Sequence, residues 1–199
     1  MKFLPLDAPG ILELAAGWIE KKENYQWLDF GGAGHRVTPM LLKILAQSKT
    51  HFLRVYTSER DDNPIGIVAL NGVDRTSNTA TFWGAAGDKS FRSRGYGTLA
   101  ASRFMTIAFR DLGLYSINTW VAEGNPSLKI IERAGFCFIG RQRQCHYIDG
   151  RPHDRLLFDL LASEHKEYED DRWHRIEDRR NDVHRKGAMN FGRGAASSH

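Results

Sequence analysis

Cysteine is scarce in this chain. Cys137 and Cys145 are its two thiols in 199 residues. That excludes a disulfide-stapled secreted scaffold. The pair lies an even number of positions apart on one predicted strand, so the thiols share a face and do not bridge. A reducing, cytoplasmic setting is the expectation. Long apolar runs are also missing. None approaches the ~20 residues of a membrane span, so no membrane partner is expected. Met1 to Asp7 is too short and too soon acidic for a secretion signal. Charge of one sign is lacking as well. The chain carries +4 overall, while residues 164–199 hold eight Lys/Arg against eight Asp/Glu. The surplus therefore belongs to the body, where it can face an anionic ligand. No basic stripe with interleaved aromatics stands out, which disfavours nucleic acid as a partner. His165, His174 and His184 lack the i, i+4 spacing of a helical metal pair, and no metal is expected.

Hydrophobic residues make up 41% of the chain, enough for one domain with its own core. The most informative stretch is Phe91-Arg92-Ser93-Arg94-Gly95-Tyr96-Gly97-Thr98. It follows a predicted strand, Thr79–Gly87, and opens a predicted helix, Tyr96–Leu112. Gly95 and Gly97 allow backbone to approach an anion closely. First-turn N–H groups and the helix dipole then favour negative charge. Arg92 and Arg94 add forked donors. A pyrophosphate suits such a loop, with Arg92, Ser93, Arg94, Gly95, Tyr96, Gly97 and Thr98 as its contacts. The loop is not a nucleoside-triphosphate loop, because no Gly-Lys-Ser/Thr follows. It is a poor dinucleotide fingerprint too, since no acidic residue ends a clear second parallel strand.

A strand, Leu114–Val121, comes next. Then follow Ala122-Glu123-Gly124-Asn125-Pro126-Ser127, a helical run Leu128–Ala134, and Gly135-Phe136. Arg-x-x-Gly-x-Gly, a strand, and Asn-Pro-Ser-Leu-x-x-Ile-x-Arg-Ala-Gly-Phe together resemble the GNAT superfamily of acetyl-CoA-dependent N-acetyltransferases. The branch named for ribosomal-protein N-terminal acetylation is the most similar. Its arginine-rich strand, Tyr-x-Asp-Gly turn and final strand are matched by Gly140–Arg143, Tyr147–Gly150 and Asp154–Phe158. The resemblance spans roughly Leu53 to Ser163.

The resemblance implies an α/β (α+β) fold, a mixed, mainly antiparallel twisted sheet of about six to seven strands flanked by helices. It implies acetyl-CoA as co-substrate and an amine, a small molecule or a protein N-terminus, as acceptor. The backbone of Ala85, Ala86 and Gly87 would face the pantetheine arm. Small side chains there suit close approach, and ordinary tight packing accounts for them equally well. Asn125 would bind the same arm, although Gly124 holds the commoner Asn position. Asn125 also reads as a helix cap with Pro126 at the first helical position. Ser127 stands at the family distance from Gly135 and would reach the thioester sulfur. The family's usual tyrosine acid is replaced by Ile131, leaving Ser127 or an ordered water to protonate the thiolate. Thr79–Gly87 carries no glutamate, a common base position. Glu123 is the nominated base, with Asp88, Tyr147, His146 and water as alternatives. Without a strong base, a non-catalytic acyl-CoA-binding or protein-interaction module on the same fold is the competing reading.

The remaining sequence supplies the surroundings. Asp7 and Pro9 predict a helix start ahead of Ile11, Leu12, Leu14, Ala15, Trp18 and Ile19. Glu23–Arg36 reads as irregular and aromatic-rich. Thr38-Pro39 predicts a helix with Met40, Leu41, Ile44 and Leu45 on one side. His51–Ser58 and Ile65–Asn71 read as strands. Glu23, Asp29, Asp61 and Asp62 could attract a cationic amine. Residues 1–163 form the expected catalytic domain. Residues 164–186 form an expected charged helical extension, through which a homodimer is open. Residues 187–199 form an expected disordered tail.

Overall fold

The computed structural model describes residues 1–30, 37–58, 62–91 and 94–168. Its strands are β1 (Phe3–Leu4), β2 (His51–Thr57), β3 (Pro64–Asp74), β4 (Thr79–Ala86), β5 (Ser116–Ala122), β6 (Cys137–Ile148) and β7 (Arg151–Leu161). They form a seven-stranded sheet in the order β1-β2-β3-β4-β5-β7-β6. Every neighbouring pair is antiparallel except β4 and β5. That exception follows from the chain path. A helix, α4 (Tyr96–Arg110), carries β4 across to β5, and a helical crossover returns the strand in the same direction.

The parallel pairing is short. β4 and β5 are in register only at Thr79–Ser116, Ala80–Ile117 and Thr81–Asn118. Beyond Thr81, β4 continues against β3 as far as Ala86, while β5 continues against β7 as far as Ala122. The two half-sheets therefore part, and a seam opens between them. At its start the Thr119 hydroxyl donates to the Phe82 carbonyl at 2.9 Å. A buried polar group needs such a partner, and this one pins the point of divergence.

Helices cover both faces. On one side lie α1 (Ile11–Ile19), α2 (Lys22–Tyr25) and α3 (Pro39–Gln47). Ile11, Ala15, Trp18, Ile19 and Leu42 pack there on Leu53, Val55, Ile67 and Ala69. On the other side Phe104 of α4 stacks on Phe52, with ring centroids 5.5 Å apart, and meets Phe3 and Phe82 at 5.8 and 6.2 Å. Aromatic rings at such separations add to the energy of area burial.

Three local expectations are corrected. Helix α1 begins at Ile11, not near Asp7, because Gly10 at its start adopts a left-handed φ of 74° that breaks helical continuity. In α3 the buried residue is Leu42, while Met40 and Ile44 are 65% and 57% exposed. The stripe runs through Leu41, Leu42 and Leu45, with Leu45 four and three positions after the other two. The Thr38 cap is as expected, accepting the Leu41 N–H at 3.1 Å. The stretch after Glu20 holds one helical turn, α2.

After β7, residues 165–168 carry no helix and run along α4. His165 Nε2 lies 2.8 Å from the Thr106 hydroxyl, which donates to Glu167 at 2.7 Å. The Tyr168 N–H donates to Ser102 Oγ at 2.7 Å. The rest of the expected helical extension and tail lies outside the described residues.

Candidate active site

The loop that opens α4 sits just past the end of β4. Gly95 precedes the helix with φ 89°, a left-handed conformation that glycine adopts without penalty. Its carbonyl accepts the Leu99 N–H at 3.1 Å. The N–H groups of Tyr96, Gly97 and Thr98 thus form the donor-rich first turn. Tyr96 and Thr98 are buried. The Arg94 guanidinium lies 5.5 Å from the centre of the Phe91 ring, and the Tyr96 ring meets Phe91 edge-on at 5.5 Å. These contacts fix the loop beside the helix start. Arg92 and Ser93 lie outside the described residues.

Gly97 has a packing reason of its own. A Cβ there would sit 2.8 Å from Ile130 Cδ1. Ile130 belongs to α5 (Leu128–Arg133), so the glycine lets α5 press against the first turn of α4. That contact brings Ser127 to the same end of the molecule as the first turn of α4. Helix α5 starts two residues later than the capping expectation, with Ser127 as its N-terminal flanking residue. The Asn125 side chain instead accepts the Ser127 N–H at 2.9 Å and shapes the turn into the helix. The Ser127 carbonyl accepts from Ile130 and Ile131 at 2.8 and 3.1 Å. Among the described residues the Ser127 hydroxyl makes no hydrogen bond.

At the end of β4, Ala85 and Ala86 face Ile67 and Gly66 across the β3 ladder. Gly87 lies beneath the Trp18 indole, and a Cβ on it would come within 2.3 Å of Cε2. Asn24 donates to the Ala86 carbonyl at 2.9 Å and to the Trp18 carbonyl at 2.8 Å. Beside Gly87 is an open pocket of about 560 Å³ lined by Trp18, Lys21, Lys22, Glu23, Gly87 and Asp88. On β2, burial raises the Tyr56 phenol well above its ordinary value. Its ring crosses Gly66, next to Ala86, as a neutral group.

The structure separates the base candidates. Glu123 closes β5 in the open, 3.6 Å from Arg141. Asp88 accepts the Ser90 N–H at 2.8 Å, and that bond holds its carboxyl below the ordinary range, making it a weak base. Tyr147 is 67% exposed. His146 is buried and fully engaged. Its Nε2–H donates to the Gln26 carbonyl at 2.7 Å, and its Nδ1 accepts from Arg155 at 3.3 Å. An oxygen acceptor on one side and a guanidinium on the other require the neutral ring. The carboxylates expected to attract a cation are also occupied. Asp29 pairs with Arg155 at 2.7 Å and Asp62 with Lys2 at 2.5 Å. Glu23 has a partner as well, and Asp61 lies outside the described residues. Among the described residues no three His, Cys, Asp or Glu side chains gather as a metal site would require.

Sequence reasoning missed Asn24, Thr119 and the engagement of Arg155 with the segment after α2. An isolated Asn or Thr in a mixed-polarity stretch gives no local sign of a partner dozens of residues away.

Comparison with known proteins agrees with this geometry. The model of the acetyltransferase (GNAT) family matches residues 21–136. YdaF of Bacillus subtilis (strain 168), named provisionally as a ribosomal N-acetyltransferase, is 31% identical over 107 residues. Those residues are 52% of this chain and 57% of YdaF, so the match spans under two thirds of that protein. YokL of the same organism, an SPbeta prophage-derived uncharacterized N-acetyltransferase, is 23% identical over 142 residues, covering 71% of this chain and 78% of YokL. The fold is shared with the spermidine N-acetyltransferase of Vibrio cholerae solved with CoA and spermine. That structure superposes with a TM-score of 0.70 at 19% identity, covering 82% of this chain and 96% of the other.

Proposed function

The chain belongs to the acetyltransferase (GNAT) family, and from that premise we propose that it moves the acetyl group of acetyl-CoA to a primary amine by direct attack in a ternary complex. The observation that carries this reading is the juxtaposition of two features. A Gly95-capped helix start rich in N–H donors stands at the end of β4. Beside it, β4 loses its β5 partner after Thr81. An anion held by the first turn of α4 would leave an extended arm lying along the unpaired edge of β4, as a diphosphate joined to a pantetheine requires. Arg94, Gly95, Tyr96, Gly97 and Thr98 would hold the diphosphate, joined by Arg92 and Ser93. Ala85, Ala86 and Gly87 would line the arm, with Asn125 at the far side.

In this reading the amine nitrogen bonds to the thioester carbon, and the carbon–sulfur bond then breaks. Holding the two reactants together removes most of the entropic barrier. The amine's surplus proton leaves to water, with Glu123 as the relay, since it is exposed at the end of β5. Ser127 would donate to the departing sulfur, a role supported by a hydroxyl that makes no hydrogen bond among the described residues. A thiol ionises near pH ~8.5, so the demand on that donor is small. Two free cysteines support a reducing, cytoplasmic location.

Thiol release measured with acetyl-CoA and a panel of acceptors tests the reading. The panel holds peptides with free N-termini, an amino sugar, spermidine and an aminoglycoside. Turnover with one acceptor class is expected. Coenzyme binding in calorimetry with no transfer to any amine would instead identify a non-catalytic acyl-CoA module.

A further inference from the structure

The segment from Lys22 to Phe30 touches both half-sheets. On the β4 side, Asn24 donates to the Ala86 carbonyl. Phe30 meets Trp83 of β4 edge-on at 5.1 Å. Leu28 and Phe30 pack on the same apolar cluster as α1 and α3. On the other side three polar ties reach the β6–β7 hairpin. Lys22 pairs with Asp149 at 2.6 Å. The Gln26 carbonyl accepts from His146 at 2.7 Å. Asp29 pairs with Arg155 at 2.7 Å. The segment thus crosses the seam on the α1–α3 face, while α4 occupies the other.

The hairpin is shaped for this grip. Gln142 faces Arg155 and His146 faces His153, so β6 spends four residues where β7 spends two. A bulge of this kind re-aims the side chain that follows it. Gln144 takes a left-handed φ of 50°, and its N–H donates to Asp154 at 2.8 Å, which anchors the bulge. As a result His146 turns inward beside Trp120, with ring centroids 5.4 Å apart. Arg155 lies over the Trp120 ring at 3.9 Å. Its side chain is only 17% exposed, and one guanidinium nitrogen serves both Asp29 and His146. The order of contact runs Trp120, Arg155, His146, Gln26. Lysine cannot replace that fork, because it presents a point charge without a flat face.

We propose that residues 22–30 form a latch over the seam, and that Arg155 and His146 are positioning residues holding it where the amine acceptor approaches. The acceptor role rests on the acetyl-transfer reading; the latch itself does not. The first turn of α4 would tether the coenzyme at the end of β4, so an amine reaching the thioester from the α1–α3 face passes the latch. Loosening it should change acceptor handling and leave coenzyme binding alone.

The test compares Arg155→Met, Arg155→Lys, His146→Phe and His146→Gln in the full chain. Glutamine keeps an N–H for the Gln26 carbonyl. Asp29→Asn, at a half-exposed carboxylate, serves if the Arg155 variants fail to fold. Amide exchange read by mass spectrometry needs no turnover. Exchange in residues 22–30 should rise about tenfold in Arg155→Met and His146→Phe, with β2–β4 unchanged, and should stay near wild type in His146→Gln. The acceptor KM should rise about fivefold in the first two, with acetyl-CoA affinity within about twofold. Unaltered exchange in residues 22–30 would overturn the latch. Faster exchange with an unmoved acceptor KM would overturn the positioning role. A wild-type protein that acetylates no amine overturns the acetyl-transfer reading and the acceptor role with it, and the exchange data still judge the latch.

Discussion

Gly87→Ala should destabilise the protein, and replacing Trp18 should relieve the damage. The new methyl would lie 2.3, 2.4 and 2.7 Å from Cε2, Cδ2 and Cζ2 of Trp18. Those atoms belong to a rigid two-ring plate that is 6% exposed, with α1 and the sheet around it. No single bond rotation clears it, so α1 must shift or the end of β4 must bend. Overpacking of this kind costs about 1–3 kcal/mol, set against a total stability of about 5–15 kcal/mol. Trp18→Leu alone should cost up to about 3–5 kcal/mol in burial and cavity. In the double variant the alanine methyl fills part of the vacated volume. The pair should therefore be more stable than the sum of the singles by about 1–3 kcal/mol. Urea unfolding followed by far-UV circular dichroism measures all four proteins. Additive losses would refute the contact argument. The same double variant separates two uses of the glycine. If Gly87 is there for Trp18, acetyl-CoA affinity in calorimetry should stay within about threefold of wild type. If close coenzyme approach requires it, the packing clash is relieved in the double variant and binding is still lost.

Gly97→Asp should weaken acetyl-CoA binding about tenfold, ~1.4 kcal/mol, by placing negative charge at the helix start. Gly97→Ala only pushes the tip of Ile130 and should lose less than half as much; equal losses by calorimetry would leave packing as the whole cause. Ser127→Ala should lower kcat and leave coenzyme affinity within about threefold, as expected for a donor used only in the transition state; unchanged turnover would hand sulfur protonation to water. The contact of residues 165–168 with α4 should weaken in acid. Desolvation, partly opposed by Glu167 and reinforced by Arg110, holds the His165 pKa below its ordinary 6.5. The docked segment thus prefers the neutral ring. Its stability is full above the free pKa and is lost as pH falls through the lowered value. Once the intrinsic slowing of exchange in acid is divided out, the protection of residues 165–168 should fall as pH drops below 6.5 in wild type and not in His165→Gln; the same loss of protection in that variant would exclude the histidine.

The legible parts of this molecule were those carried by local rules. Gly95, Gly97 and the helical period after them located the start of α4, and the alternating runs in β2 to β5 located strands. The Thr38-Pro39 pair marked the start of α3, yet its buried stripe was misplaced because four neighbouring apolar residues fit more than one face. What stayed hidden has long sequence separation. Gly87 and Gly97 read as space for a ligand until Trp18 and Ile130 appeared above them. His146 read as a free base candidate because nothing near it announces Gln26, 120 positions earlier. The β6 bulge is invisible for a related reason. Arg141 to Gln144 is polar throughout, so no apolar alternation exists for the two extra residues to interrupt.

The seam also sets an order of events during folding. β2, β3 and β4 pair with their immediate neighbours in the chain, and β6 and β7 are joined by a two-residue turn. Both parts can therefore collapse from short-range encounters. Joining them requires α4 to fold and three parallel residue pairs to register, a non-local step that is slow by topology. The ties from Lys22 to Asp149, from Gln26 to His146 and from Asp29 to Arg155 span 127, 120 and 126 positions and come after that. A chain emerging from the ribosome would hold a nearly finished first half-sheet with one bare edge along β4, of which β5 later covers only Thr79 to Thr81. The edge that would accept an extended arm in the mature protein is the same edge that a nascent chain must keep from pairing with a stray strand.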